Sequence, residues 1–281
     1  MELTQEQKNW LDECTEGSWS LNKKGLVDID GSFNCKKQNL KDFKGVKFGK
    51  VSGNFDCSHN KLTSLVGAPQ KVGGSFHCYN NKLTSLEGAP QEVGGGFYCD
   101  NNKLTSLEGA PQKVKGWFSC SYNKLTSLEG APQEVGEDFY CSGNQLTSLV
   151  GAPQVVRGRF DCRHNQLTSL VGAPQEVGGS FDCTYNKLTS LEGAPQEVGT
   201  WFECSYNPIR KRTLELIYEK MRDDKVPYII ALSVARLDIK NRIEKLIKRE
   251  EEELRKISEG YTEGDLNAAS IMSRFVQKSF F

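Results

Sequence analysis

The sequence predicts a repeat solenoid with a parallel β-sheet along its concave face, and three observations carry that expectation. The block FxCxxNxLTSLxGAPQxV recurs with a period of 21 residues. Cysteine marks each step, at Cys57, Cys78, Cys99, Cys120, Cys141, Cys162, Cys183 and Cys204. Phenylalanine keeps the same step from Phe55 to Phe202, and asparagine from Asn60 to Asn207. A unit this short, read as one short strand and two turns, cannot bury its own apolar side; stacked on copies of itself, it can.

Each element of the coil has a local reason. Phe and Cys stand at i and i+2, so they share one face of a strand while the residue between them faces away. Glycine-rich GG or GE precedes the strand and GAPQ turns the chain after it. In the second unit the inward set is expected to be Leu62, Leu65, Val72, Phe76 and Cys78. The recurrent asparagine is polar among apolar positions, so its amide is expected to satisfy turn backbone groups of neighbouring coils. A weaker opening copy, FNCKKQNLKDFKG, carries Phe33 and Cys35, and residues 31–207 form about eight to nine coils.

FxCxxNxLTSL resembles the leucine-rich-repeat core LxLxxNxL, with Phe and Cys in the first two leucine positions. NKLTSLEGAPQ is similar to the short repeats of the bacterial effector leucine-rich-repeat family, and to repeat proteins of tailed phages and bacteria. EGAPQ stands where that family has a second leucine–proline step, which puts its convex-side backbone in question. A right-handed β-helix, with similar coil lengths, is the alternative architecture. The resemblance implies a scaffold that binds a host or defence protein and inhibits it by occlusion. Some effector relatives carry a ubiquitin-ligase domain with a cysteine nucleophile; here no cysteine follows Cys204.

Open solenoids need caps, because a terminal coil exposes its core and its strand edge. Residues 1–30 are expected to form the N-terminal cap: Thr4 and Gln7 make a capping box for a short helix bearing Trp10, Leu11 and Cys14. At Asn207-Pro208 the repeat ends. Leu214, Ile217, Tyr218 and Met221 then recur at helical spacing, followed by segments at 226–237 and 239–257. Residues 208–281 are thus read as a C-terminal α-helical domain, either an extended cap or a second functional or oligomerising module. Its KREEEELRK run reads as a solvated helix face.

Composition bounds the partners. Lys+Arg and Asp+Glu both number 36, and the balance argues against a whole-protein nucleic-acid footprint. The most apolar run, Val226 to Ala235, is far short of the roughly 20 residues a membrane span needs. MELTQEQKNW shows no basic and apolar regions of a secretory signal. Nine of the 10 cysteines fall at a core position of the repeat, which implies packing rather than disulfides and a reducing, cytoplasmic compartment. No metal-ligand spacing or cofactor fingerprint is present, so neither metal, cofactor nor catalysis is expected.

Positions that vary within so uniform a repeat are free to form a binding surface. They hold Tyr79, Tyr98, Trp117, Tyr122 and Tyr140, then Arg159, Asp161, Arg163, Asp182 and Trp201. Exposed tyrosine, tryptophan and arginine are the residue types enriched in protein-interface hot spots, which points to a protein partner. Two alternatives use the same face. Asp161 and Asp182 would be the paired acids of a carbohydrate-active protein, and Arg157, Arg159 and Arg163 with the helical domain would bind nucleic acid. His59, His77 and His164 lack a nucleophile or carboxylate partner in any recurrent grouping and read as solvated or ligand-contacting.

Overall fold

The computed structural model describes residues 2–209 together with Lys248, Arg249, Glu251 and Glu252. Within 2–209 the chain is a parallel β-solenoid of about eight coils behind an N-terminal cap. The expected helical domain at 208–281 lies outside the described residues from position 210 on, except for those four, which are helical and exposed and belong to a second compact unit.

The cap starts with α1 (Gln5–Cys14). Thr4 Oγ1 accepts from the Gln7 amide, and the Gln7 side chain accepts from the Thr4 amide, closing the capping box. Trp10, Leu11 and Cys14 are buried. Trp10 meets Phe33 edge-on at 5.3 Å and donates through Nε1 to Gln38 Oε1 at 2.7 Å, so the helix lids the open end of the core. β1 (Thr15–Leu21) then pairs antiparallel with β2 (Val27–Asn34), from Thr15 opposite Phe33 to Leu21 opposite Val27. Gly17 and Gly31 face each other at φ +125° and +127°; a Cβ on either would stand 2.1 Å or less from the opposing carbonyl oxygen. This edge strand is absent from the sequence reading. Most of β1 is exposed and has no apolar alternation to betray it.

Beyond the cap the chain climbs by register. Phe33 on β2 and then Phe55, Phe76 and each later Phe to Phe202, on two-residue strands, pair in one parallel ladder. Where the sequence predicts one strand per coil, the structure has two. Val51, on β3 (Phe48–Val51), Val72, Val93, Val114, Val135, Val156, Val177 and Val198 form a second parallel ladder. β2 is long enough to start both. The second ladder forms because the turn after GAPQ lays the backbone of successive coils within hydrogen-bond reach, as in Gln91 N–H to Gln70 O at 3.0 Å and Gly94 N–H to Val72 O at 2.9 Å.

The core is the space between the ladders. All five residues of the expected inward set are buried. The Phe rings from Phe33 to Phe202 stack along the axis, for example at 5.5 Å and 9° between Phe55 and Phe76. All ten cysteines are free and buried. The thiol of Cys141 donates to Asp161 O at 3.4 Å, and Cys99, Cys120, Cys162 and Cys183 repeat that contact. Burial raises the thiol pKa throughout, to about 12 at Cys204, with the Glu203 charge adding to it. Asn81 shows the polar ladder. Nδ2 donates to Cys57 O of the previous coil at 3.0 Å and to Cys78 O at 3.1 Å, and Oδ1 accepts from Leu62 N–H at 3.0 Å. The glycine of GAPQ closes each coil at a left-handed φ. A Cβ on Gly88 (φ +86°) would lie 2.7 Å from the Leu65 carbonyl below.

Candidate partner-binding face

The outward side of the phenylalanine ladder presents three rows that run along the axis. The residue before Phe gives Asn54, Ser75, Gly96, Trp117, Asp138, Arg159, Ser180 and Trp201. The residue between Phe and Cys gives Asp56, His77, Tyr98, Ser119, Tyr140, Asp161, Asp182 and Glu203. After Cys come Ser58, Tyr79, Asp100, Ser121, Ser142, Arg163, Thr184 and Ser205. Strand register places equivalent residues side by side: His77 beside Tyr98, Tyr98 beside Ser119, and Asp161 beside Asp182.

The structure joins most of the predicted aromatics. Tyr98 lies edge-on to Trp117 at 6.5 Å and 74°, and Trp117 lies edge-on to Tyr140 at 6.3 Å and 73°. Trp117 is 42% exposed. Its two neighbours are braced. Tyr98 stacks face to face on His77 at 4.7 Å and 1°, and its ring occupies the space above Gly96, where a Cβ would stand 2.6 Å from the phenol oxygen. Tyr140 donates its hydroxyl to Asp138 Oδ2 at 2.7 Å. Tyr79 sits at the N-terminal end of the group, edge-on to His59 at 5.2 Å and to His77 at 6.1 Å.

Tyr122 stands apart from this group. It occupies a fourth row, two residues after Cys, at φ +55° and 58% exposure. No ring contact joins it to Trp117; the space beside its ring is kept open by Gly143, whose Cβ would lie 2.7 Å from Tyr122 Cδ1. That row is left-handed in every coil and carries a second aromatic stack, His164 on Tyr185 at 4.4 Å and Tyr185 on Tyr206 at 4.0 Å.

Arg159, Arg163, Asp161 and Asp182 form one ion-paired cluster. An Arg159 guanidinium nitrogen lies 2.6 Å from Asp182 Oδ2 and 3.3 Å from Asp161 Oδ2, while Arg163 Nε lies 3.0 Å from that same Asp161 oxygen. Asp182 Oδ1 accepts from the Thr184 amide and hydroxyl. The guanidinium of Arg159 also sits 5.3 Å from the Trp201 ring centroid, which ties Trp201 into the cluster. Burial pushes the Asp161 carboxyl above its usual range and the neighbouring Asp182 charge adds to this, against the pull of Arg163 and Arg159. Asp161 is fully buried, so no carboxylate there reaches a glycosidic oxygen; Arg159 and Arg163 already face carboxylates, which lowers their value as phosphate contacts.

His77, Asp138 and Asp100 stand in the outward columns that the sequence defines, but their contacts with the aromatic group, and the nearness of Glu137, emerge only in the structure. Burial lowers the His77 pKa, with Asp56 opposing and Lys36 assisting, so His77 is a neutral stacking ring at pH 7. Burial raises the Tyr98 pKa first, and the charges of Glu137, Asp100 and Asp138 raise it further. Asp100 is itself raised by burial, opposed by the Ser119 hydroxyl and the backbone amides that it accepts from. The varying rows hold six carboxylates (Asp56, Asp100, Asp138, Asp161, Asp182, Glu203) against two guanidiniums, while Glu137, two residues before Phe139, lies outside them.

An open cavity of about 410 Å³ lies elsewhere, lined by Asn22, Lys24, Asp28, Lys50 and Lys71 among others, and shares no residue with this face. Among the described residues no three His, Cys, Asp or Glu side chains are grouped to hold a metal ion, and no helix is long and apolar enough to cross a membrane.

No protein-family model matches the chain, and no curated protein matches it. Among solved structures it is similar to YopM from Yersinia enterocolitica WA-314, at 21% identity and a TM-score of 0.37, over 63% of this chain and 47% of that one. The chain therefore spans about half the length of that neighbour. The architecture rests on its own registers: paired strands at every FxC, an asparagine ladder and buried leucines make this chain a leucine-rich-repeat-like parallel β-solenoid.

Proposed function

We propose that the protein is a non-enzymatic scaffold that binds a partner protein on the outward face of the phenylalanine ladder, centred on Tyr98, Trp117 and Tyr140. The observation that carries this reading is a half-exposed tryptophan held between two braced tyrosines on a rigid sheet. Pre-organised aromatic anchors lose little conformational freedom on binding, which is why they dominate interface energetics. Arg159, Arg163 and Trp201 form one flank, with the arginines held by the buried Asp161 and Asp182, and Tyr79 forms the opposite end. The reading extends to inhibition of a host or defence protein by a phage or bacterial factor, through occlusion, in the cytoplasm; the free buried thiols suit a reducing compartment.

The test is affinity capture from source-cell extract on immobilised wild type and on a Trp117→Ala/Tyr140→Ala variant, followed by calorimetry with the identified protein. The variant should lose at least about 2 kcal/mol of binding, the scale of interface hot spots. Equal affinity for both proteins removes this face from the function.

A further inference from the structure

Trp201 and Trp117 occupy the same row, four coils apart, and only one of them has its cation. Over Trp201 the chain supplies the Arg159 guanidinium, which two carboxylates hold in place. The position two coils before Trp117, which corresponds to Arg159, is Ser75. Among the described residues no ammonium or guanidinium group lies over Trp117, Tyr98 or Tyr140. Yet the surroundings suit one. Tyr98 and Tyr140 flank the 42% exposed Trp117 on either side, at 6.5 Å and 74° and at 6.3 Å and 73°. Asp138, whose Oδ1 accepts from the Arg159 amide at 2.7 Å and whose Oδ2 accepts from Tyr140, is fixed beside it. Asp100 and Glu137 lie near enough for their charge to act on the Tyr98 phenol.

We infer that the Tyr98–Trp117–Tyr140 cluster takes a lysine or arginine side chain from an extended, basic segment of the partner protein. Ring faces attract a cation within about 6 Å of their centroids, best over tryptophan, and flanking carboxylates add a field of the same sign. With Arg159 and Arg163 paired to the buried Asp161 and Asp182, the three rows keep four further carboxylates, Asp56, Asp100, Asp138 and Glu203, and no further guanidinium, which favours a positively charged chain over a phosphate backbone. This inference rests on the proposed binding face and adds the chemistry of its ligand.

The test uses the full chain and a labelled peptide of about eight residues that alternates glycine and arginine, read by fluorescence anisotropy. Its control replaces each arginine by citrulline, which keeps the shape and removes the charge. The arginine peptide should bind and the citrulline peptide should bind at least tenfold more weakly. Trp117→Ala, at an exposed position, should weaken the arginine peptide about 5- to 30-fold, with partial rescue in Trp117→Phe. Equal binding of the two peptides, unchanged binding in Trp117→Ala, or tighter binding of a single-stranded oligonucleotide overturns the inference. If the captured protein needs Trp117 and Tyr140 while the citrulline peptide matches the arginine peptide, the face stands and its cationic ligand falls. If the captured protein ignores both residues, the face itself falls.

Discussion

Replacing Asn144 by alanine isolates what the asparagine ladder contributes. Asn144 Nδ2 donates to Cys120 O, Cys141 O and Ser142 O, and Oδ1 accepts from Leu125 N–H at 3.0 Å. The three carbonyls each keep another donor: Asn123 Nδ2 at Cys120 O, Asn165 Nδ2 at Cys141 O, and Tyr122 N–H at Ser142 O. Leu125 N–H has no second acceptor, and Leu125 is fully buried. One orphaned amide costs about 1–3 kcal/mol, and the weakened carbonyls bring the expected loss to about 2–4 kcal/mol. Asn144→Asp restores the acceptor for Leu125 but turns an oxygen toward three carbonyls. A carboxyl there is protonated more readily folded than unfolded, so this variant loses stability as pH rises above the ordinary carboxylate range and recovers on acidification. Urea unfolding followed by circular dichroism, with hydrogen exchange at the Leu125 amide, reads both variants. An alanine variant within about 0.5 kcal/mol of wild type, with the Leu125 amide still protected, refutes the ladder as an energetic device.

Other expectations test separate parts of the molecule. Arg159→Ala leaves Asp161 and Asp182 side by side without their shared cation and should destabilise by about 3–5 kcal/mol at pH 7. Because the Asp161 pKa is already raised by burial, that loss should shrink as pH falls toward the ordinary carboxylate range; a loss independent of pH counts against the cluster. Gly130→Ala, at φ +84° with backbone 2.8 Å from the new Cβ, should cost at least about 1–2 kcal/mol in thermal or urea unfolding, whereas an unchanged midpoint would show that the coils move apart easily. At pH 8 the native thiols of the repeat should resist an aromatic disulfide reagent, since burial keeps them protonated, and all should react in denaturant; rapid native reaction refutes the buried column.

The core was legible because each of its residues recurs in coil after coil. Phe76, Cys78, Leu62, Leu65 and Val72 all stand inward as their spacing requires, and the Asn81 amide bridges two coils as a buried amide must. The second ladder was not legible. A dipeptide such as Glu92–Val93 is too short to show alternation, and its pairing comes from the coil below. The same holds for the face. Sequence columns identify Tyr98, Trp117, Tyr140 and Tyr122 as outward residues and set Tyr122 one column further on, but only the structure shows that this left-handed column does not join the Trp117 group. The period already aligns His77 with Tyr98, but only the structure shows the two rings stacked face to face at 4.7 Å.

The two ladders repeat the same contacts from one coil to the next, from Phe55 to Phe202 and from Val72 to Val198. A coil added or lost therefore leaves every interior contact the same in kind, while it moves the outward residues past one another by one rung, about 4.8 Å. Losing the coil around Phe118 would bring Tyr98 beside Tyr140 and delete the tryptophan between them. A change of one whole coil therefore alters the outward face without weakening the interior.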